Sequence, residues 1–576
     1  MSLEEFWGVG PKTAARLREA LGEAAAVDAI ESADVRRLVD AGVTRGRATR
    51  ILRRAQGGAG MDLLATRDAR NVYDDLVTRA ASYAITAHAA DRIRVMTPVA
   101  DAETREARLD RVLAARDAWR ALDDGERTGV LDAFEAYDEA ETARPAAVRA
   151  ALALRNVGLS GETFAALDGV DERALAEAAT ALEALDVDDG DGVARGVDDD
   201  LDRLRARLAA AEELEGSAFD VIDTIRERGV RDLAAFRGAF AEYVAEETEL
   251  TRGEVTAATA DDAVDAADFV SSSLRTLVAD LREQVDEREA VVSADLEAAV
   301  DQVREDVERA VDAVDDIAVA LSLGRFADAN DLIRPTFVAD GLAVDAARNL
   351  SISDPQPISY GIGSHSLSAP TTDRVAVLTG ANSGGKTTLL ETLCQVVLLA
   401  SMGLPVPADA AEVGAFDAVV FHRRHASFNA GVLESTLKTI VPPLSREGRT
   451  LMLVDEFEAI TEPGRAADLL NGLVSLTVDR DALGVYVTHL ADDLAPLPPE
   501  ARTDGIFAEG LTTDLELEVD YQPRFGTVGK STPEFIVSRL VANARDRTER
   551  QGFEALAAAV GEEAVQGTLS DARWSG

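Results

Sequence analysis

Apolar positions along this chain keep two different periods, and the change falls near residue 350. Between residues 62 and 350 the text is rich in Ala, Leu, Asp, Glu and Arg, and no proline occurs from Pro145 to Pro335. Residues 254–323 hold neither Gly nor Pro, and Leu274, Val278, Leu281, Val285, Val292, Leu296, Val300, Val303, Val307, Val311 and Val314 recur at steps of mostly three and four. Such spacing predicts one long helix with a single sticky seam. At 1.5 Å per residue, about 50 residues would reach roughly 75 Å, the dimension of an arm rather than of a core. Residues 187–200, dense in Asp and Gly, predict a turn within this region.

After residue 350 short apolar runs alternate with helical stretches and Gly or Pro turns, the pattern of an α/β nucleotide-binding domain. Before residue 58 there are only short helical patterns, and Gly57-Gly58-Ala59-Gly60 reads as a linker. The expected organisation is therefore multidomain: an all-α module over 1–58, a helical core, lever and clamp over 62–350, an α/β domain over 351–545 and a short tail over 546–576.

Chemistry gathers at the predicted strand ends. Val375-Ala376-Val377-Leu378 leads into Gly380-Ala381-Asn382-Ser383-Gly384-Gly385-Lys386-Thr387, a complete G-x-x-x-x-G-K-[ST] loop, and Thr388 continues into a helical stretch. Glycines let backbone N–H groups wrap phosphates, and the helix N-terminus adds the positive end of its dipole. Lys386 is expected to reach the β- and γ-phosphates of ATP, and Thr387 to place its hydroxyl on Mg²⁺. Leu451-Met452-Leu453-Val454 ends in Asp455-Glu456. Asp455 is the candidate Mg²⁺ partner and Glu456 the candidate for polarising a water. A third run, Tyr486-Val487-Thr488, ends in His489, a candidate γ-phosphate contact.

Composition adds limits. The chain of 576 residues has room for about three or four domains. No run of 18 apolar residues occurs, since Glu391 and Gln395 break the best stretch, so no membrane span is expected. The acidic start lacks a signal peptide's features, and the lone Cys394 excludes an internal disulfide; a cytoplasmic, reducing setting is expected. Net charge is −46, which ordinarily argues against nucleic acid. Only four basic residues are Lys, and acidic excess with so little lysine resembles proteins of salt-loving archaea. On that reading the charge reports habitat; the alternative is an acidic chain that avoids DNA. Locally, residues 41–61 carry Arg45, Arg47, Arg50, Arg53 and Arg54 and no acid, a candidate phosphate-contacting segment.

Gly8-Val9-Gly10-Pro11-Lys12-Thr13-Ala14, with a weaker copy at Gly42-Val43-Thr44-Arg45-Gly46-Arg47-Ala48, resembles paired helix-hairpin-helix motifs. The resemblance implies backbone N–H groups aimed at DNA phosphates without base reading, with Gly8, Gly10, Lys12, Thr13, Arg45, Arg47 and Arg50 as DNA-binding candidates. A protein-docking module is the alternative.

Phosphate loop, acidic pair and histidine in this order resemble ABC-type ATPases, and a helical arm placed before the ATPase resembles the MutS family. Thr379–Thr388 is similar to that family's T-G-P-N-x-G-G-K-S-T, and Ser427-Phe428-Asn429-Ala430-Gly431-Val432-Leu433-Glu434 to its S-T-F-x-x-E segment. Arg334-Pro335-Thr336-Phe337 is similar to the family's connection from lever to ATPase. Phe240-Ala241-Glu242 and Phe507-Ala508-Glu509 carry the letters of the mismatch-reading wedge but lie mid-chain, so that role is not expected of them. The chain resembles the short archaeal MutS-like proteins of the second type, described as ATPases with sequence-independent DNA binding. No nuclease domain is expected in the remaining tail. Asn429 stands at the expected signature serine, and Glu458-Ala459-Ile460-Thr461 replaces G-R-G-T.

What the resemblance implies is a homodimer through paired ATPase heads, with adenine contacts from Pro357-Ile358-Ser359-Tyr360 and Tyr360 as a candidate stacking ring. The expected activity is ATP-driven clamping of DNA in recombination control or repair. Mismatch recognition and ribosome- or RNA-associated ATP hydrolysis are the alternatives.

Overall fold

The computed structural model describes all residues except 1, 141–142, 158–160, 186–191, 229–232, 261–262, 368, 381–384, 424–429, 457–462, 491–492, 495, 512–516, 530–532, 562–564 and 566–576. Two compact units emerge: residues 1–127 with 315–576, and residues 128–314.

In the first unit the chain opens with four short helices: α1 (Pro11–Leu21), α2 (Glu23–Glu31), α3 (Val35–Asp40) and α4 (Arg45–Gly57). Their apolar faces close a small core of Val9, Leu17, Ile30, Leu38, Val43, Ile51 and Leu52. The turns before α1 and α4 are alike: Gly8 and Gly42 both take φ of +83°, which a side chain rarely tolerates, while Val9 and Val43 are buried. Gly57-Gly58-Ala59-Gly60 is not a linker. It forms the end of α4 and a 3-10 turn, Gly58–Leu63. A Cβ on Gly60 would stand 2.2 Å from the Pro98 carbonyl oxygen, so glycine here serves close packing, not freedom.

Among the described residues ten strands follow: β1 (Thr336–Val338), β2 (Gly341–Ala347), β3 (Ile358–Gly363), β4 (Val375–Gly380), β5 (Ala410–Gly414), β6 (Ala418–His422), β7 (Thr450–Asp455), β8 (Leu483–Val487), β9 (Ala501–Leu511) and β10 (Leu517–Phe525). They build a four-stranded sheet, β1-β5-β2-β3, and a six-stranded sheet, β10-β9-β4-β8-β7-β6. β1 and β2 precede residue 351, so the α/β fold starts earlier than the change of sequence period indicates. β4 is buried along its whole length between parallel β8 and β9, which explains its unbroken apolar text. The helix Lys386–Ser401 is buried on almost every side, and Leu390, Leu393 and Val397 share a core with Tyr73 and Leu76 of the helix Arg67–Ala81. Thr66 hooks that helix to β6: its hydroxyl donates to the Phe421 carbonyl at 2.6 Å and accepts from the Phe421 N–H at 3.1 Å. Residues 62–127 therefore belong with the α/β sheet rather than with a separate arm.

At the other end the tail is not isolated. The helices Pro533–Ala542 and Arg547–Val560 share an apolar cluster of Val537, Val541 and Ala557.

The second unit is helical. The expected single long helix is two, Ala266–Gln302 and Arg304–Ala329, the latter ending in the first unit. The break falls on a seam residue, Val303 (φ −119°, ψ 21°), whose N–H bonds back three residues to Val300 while its carbonyl starts the next helix. At about 1.5 Å per residue the first of them is still roughly 55 Å long. It packs on Asp199–Gly216, and around Phe269 an aromatic core closes, with Phe240 edge-on at 5.2 Å. Phe240 is thus a buried core ring.

Candidate nucleotide site

Register brings the strand ends together. Leu378 of β4 pairs with Val487 of β8, and Val487 pairs with Asp455 of β7, so Gly380, Asp455 and Thr488 emerge on one edge of the sheet. Gly385 begins the helix Lys386–Ser401 at φ +69°, and a Cβ there would collide with the Tyr521 ring at 2.6 Å. Asn382, Ser383 and Gly384 lie outside the described residues, as do Asn429 and residues 458–461.

The described part of the loop engages the acids directly. The Thr387 hydroxyl donates to Asp455 Oδ2 at 2.5 Å. Lys386 is buried; its ammonium donates to the Gly380 carbonyl at 2.9 Å and stands 3.7 Å from Glu456 Oε1. His489 Nε2 lies 2.6 Å from the same carboxylate oxygen. Glu456 holds this place with φ of +37°, in the left-handed region, at a cost of about 1–3 kcal/mol. A buried carboxylate between a lysine and a histidine is anchored, and its neighbours offset its desolvation.

Beside these groups is a cavity of 450 Å³. Gly385, Lys386, Thr387, Thr388 and Glu456 line its polar end; Ile352, Pro355, Ile358 and Tyr521 supply apolar walls. A phosphate tail and a flat base have complementary needs, and the two ends match them. Hydroxyl and carboxylate oxygens side by side are hard donors suited to Mg²⁺, so Thr387 and Asp455 fit that ion.

Tyr360 requires correction. It is fully buried, its hydroxyl donates to Asp504 Oδ2 at 2.8 Å, and its ring stacks on Phe525 at 5.8 Å. Burial, reinforced by the Asp504 charge, pushes its phenol well above the ordinary value. It cannot stack on a base because its ring is enclosed by Phe525 and Arg502 and its hydroxyl is held by Asp504, while Ile358, two residues earlier on β3, lies at the cavity. The available ring is Tyr521 on β10, about two-fifths exposed. Sequence reading missed it, since it lies far downstream in an edge hairpin with no motif. Also missed was Asp504, whose carboxylate receives Arg502, Tyr360 and the Gly526 N–H and whose carbonyl accepts the Thr379 hydroxyl behind the loop.

The amino-terminal candidates separate into two groups. Gly10 is the N-cap of α1 with no side-chain cap, Lys12 is exposed in its first turn, and neither α1 nor α4 has an acid there. Gly8 and Arg47 are exposed and joined: Arg47 donates to the Gly8 carbonyl at 3.1 Å. Arg50 is exposed and folds onto the Gly46 carbonyl. Thr13 is buried, so its side chain faces the core instead of a ligand. Arg45, Arg53 and Arg54 pair with Asp91, Asp74 and Asp62, so the segment's positive charge is largely balanced by acids outside it.

The strand order of the six-stranded sheet, with the loop motif and paired acids at its strand ends, is that expected of a P-loop nucleotide-binding fold. Residues 376–444 match the family model for MutS domain V. A "DNA-binding protein MutS2" of Pyrococcus furiosus is 45% identical over 218 residues, 37% of this chain and 39% of that protein. "DNA mismatch repair protein MutS 1" of Halobacterium salinarum is 38% identical over 146 residues, 25% of this chain and 15% of its own length. An "Endonuclease MutS2" of Thermus thermophilus is 30% identical over 174 residues, 29% of this chain and 23% of that protein. These matches span well under half of each relative. Over the matched part, the chain is similar to proteins of the MutS family, MutS2 proteins among them.

Proposed function

We propose that this chain is an Mg²⁺-dependent ATPase whose nucleotide state controls a DNA clamp without base specificity. The observation that carries the reading is the cluster Thr387–Asp455 and Lys386–Glu456–His489 at the polar end of the cavity. Lys386 neutralises the phosphate tail, and Tyr521 with Ile358 holds the base. Glu456 orients a water and takes its proton as the water oxygen attacks the γ-phosphorus and the bond to the β–γ bridging oxygen breaks. His489 keeps that carboxylate aimed and contacts the γ-phosphate. Mg²⁺, held by Thr387 and Asp455, would supply charge neutralisation on the phosphate oxygens.

Two heads that each complete the other's site would make the working unit a homodimer, as the family resemblance implies. DNA as partner is supported by the names of the relatives and by the paired glycine turns, with Gly8, Gly10, Lys12, Arg47 and Arg50 as the phosphate contacts. Recombination control or repair is the setting that fits such a clamp.

The test is ATP hydrolysis at multimolar KCl by the wild type and Lys386→Ala, with and without duplex DNA, alongside the mass of the assembly with ATP. Hydrolysis lost in the variant and pairing on ATP support the reading. A chain that ignores ATP, or stays a single subunit with it, overturns it.

A further inference from the structure

Phe6-Trp7-Gly8-Val9 forms a tight turn closed by the Val9 N–H on the Phe6 carbonyl at 3.1 Å, with Gly8 at φ +83°. The residues on either side of the exposed Trp7-Gly8 tip turn inward: Phe6 packs against the module's core and Val9 is buried within it. Trp7 is 60% exposed. The related turn before α4 makes the contrast sharp, because there the residue preceding Gly42 is Ala41, only 5% exposed. The two turns share a glycine conformation and a buried valine and differ in one thing, a large aromatic face offered to solvent. Basic groups adjoin it: the Gly8 carbonyl accepts from Arg47 and Lys12 is exposed five residues on; of the two nearby acids, Glu4 is paired with Arg18 and the exposed Glu5 accepts from the Ser2 hydroxyl.

An exposed indole next to phosphate-seeking groups matches the two demands of an unstacked nucleotide, a π-face for the base and positive charge for the backbone. In continuous duplex each base face is covered by its neighbours. A free face exists at strand ends and in single-stranded segments. We propose that Trp7 is a stacking platform for such a base, so that the amino-terminal module prefers single-strand–duplex junctions to uninterrupted duplex. This deepens the DNA-clamp reading above and rests on it.

The experiment uses the full chain at one fixed salt concentration and two labelled DNAs, a covalently closed duplex circle and a linear duplex with a single-stranded overhang. The chain has three tryptophans, so Trp119→Phe with Trp574→Phe leaves Trp7 as the sole indole reporter. The expected result is binding to the overhang DNA roughly tenfold or more tighter than to the circle, with quenching of Trp7 by the overhang DNA alone. Trp7→Ala abolishes the preference without weakening circle binding, and Trp7→Phe restores much of it. Equal quenching by both DNAs, or a preference that survives Trp7→Ala, overturns the proposal while leaving the clamp intact. If Lys12→Ser with Arg47→Ser leaves binding of both DNAs unchanged, the module is not the DNA site and the stacking proposal falls with that part of the clamp reading.

Discussion

The strand-end cluster of the first unit and the helical second unit are built on opposite principles. Around Glu456 ionisable groups are few, buried and mutually engaged, and the backbone accepts a left-handed residue to aim one carboxylate. Between residues 128 and 314 charges are many, exposed and paired across neighbouring helices, as in Arg282–Glu212 and Arg149–Glu183, while an aromatic core around Phe269 supplies cohesion. Exposed pairs of that kind contribute little each, so cohesion there depends on packing, whereas the site depends on geometry. The difference teaches where substitutions should separate activity from stability.

The largest separation is expected at Glu456. Glu456→Gln should lower ATP turnover by about a thousandfold, roughly 4 kcal/mol of barrier, with no loss of folding stability. Glu456→Gly should be equally inactive and about 1 kcal/mol more stable than Glu456→Ala, which loses the same Lys386 and His489 contacts but keeps the positive φ; calorimetry alongside a phosphate-release assay checks both, and a Gly variant no more stable than the Ala variant would contradict the strain. The converse case is Phe269→Ala. It should cost about 3–4 kcal/mol in the stability of the second unit by opening a cavity, while leaving ATP affinity within twofold. Parallel loss of nucleotide binding would erase the contrast drawn above.

Smaller effects sharpen it. Tyr521→Ala should raise the KM for ATP about tenfold, close to 1.4 kcal/mol, and leave kcat unchanged; a fall in kcat alone would move Tyr521 from base binding to chemistry. Least of all is Asp198, which accepts from the Leu201 N–H as a helix cap and from Arg288 of the long helix. The Arg288 hydrogen bonds, ahead of the backbone ones, hold its carboxyl below the usual range. A depressed folded-state value means its contribution is present above about pH 4 and fades as pH falls through that lowered value. Unfolding midpoints of wild type and Asp198→Asn should therefore differ at pH 7 and converge as pH falls through that lowered value.

Legibility in sequence followed the reach of each interaction. The loop at Gly380–Thr387, the pair Asp455-Glu456 and His489 were readable because each ends a contiguous apolar run, and the register of the sheet brought the described members together. Tyr521 and Asp504 carried no local mark; they matter through partners more than 120 positions away. Tyr360 misled because an aromatic near a phosphate loop looks the same facing in or out. The glycines at 57–60 misled because close packing and flexibility call for the same residue. Three to four spacing along 254–323 revealed helix but not its interruption, since Val303 continues the apolar seam.

Sequence alone determined the chemical inventory: a phosphate-wrapping loop, two carboxylates at a strand end, a basic amino-terminal segment in an acidic chain and a long amphipathic helix. Those features are local, set by neighbours within a few residues. Tertiary structure decided which tyrosine borders the cavity, which arginines are already neutralised and that Trp7 is left in water. Each of those outcomes depends on side chains distant in the chain competing for the same space and charge, and no short window of residues contains that competition.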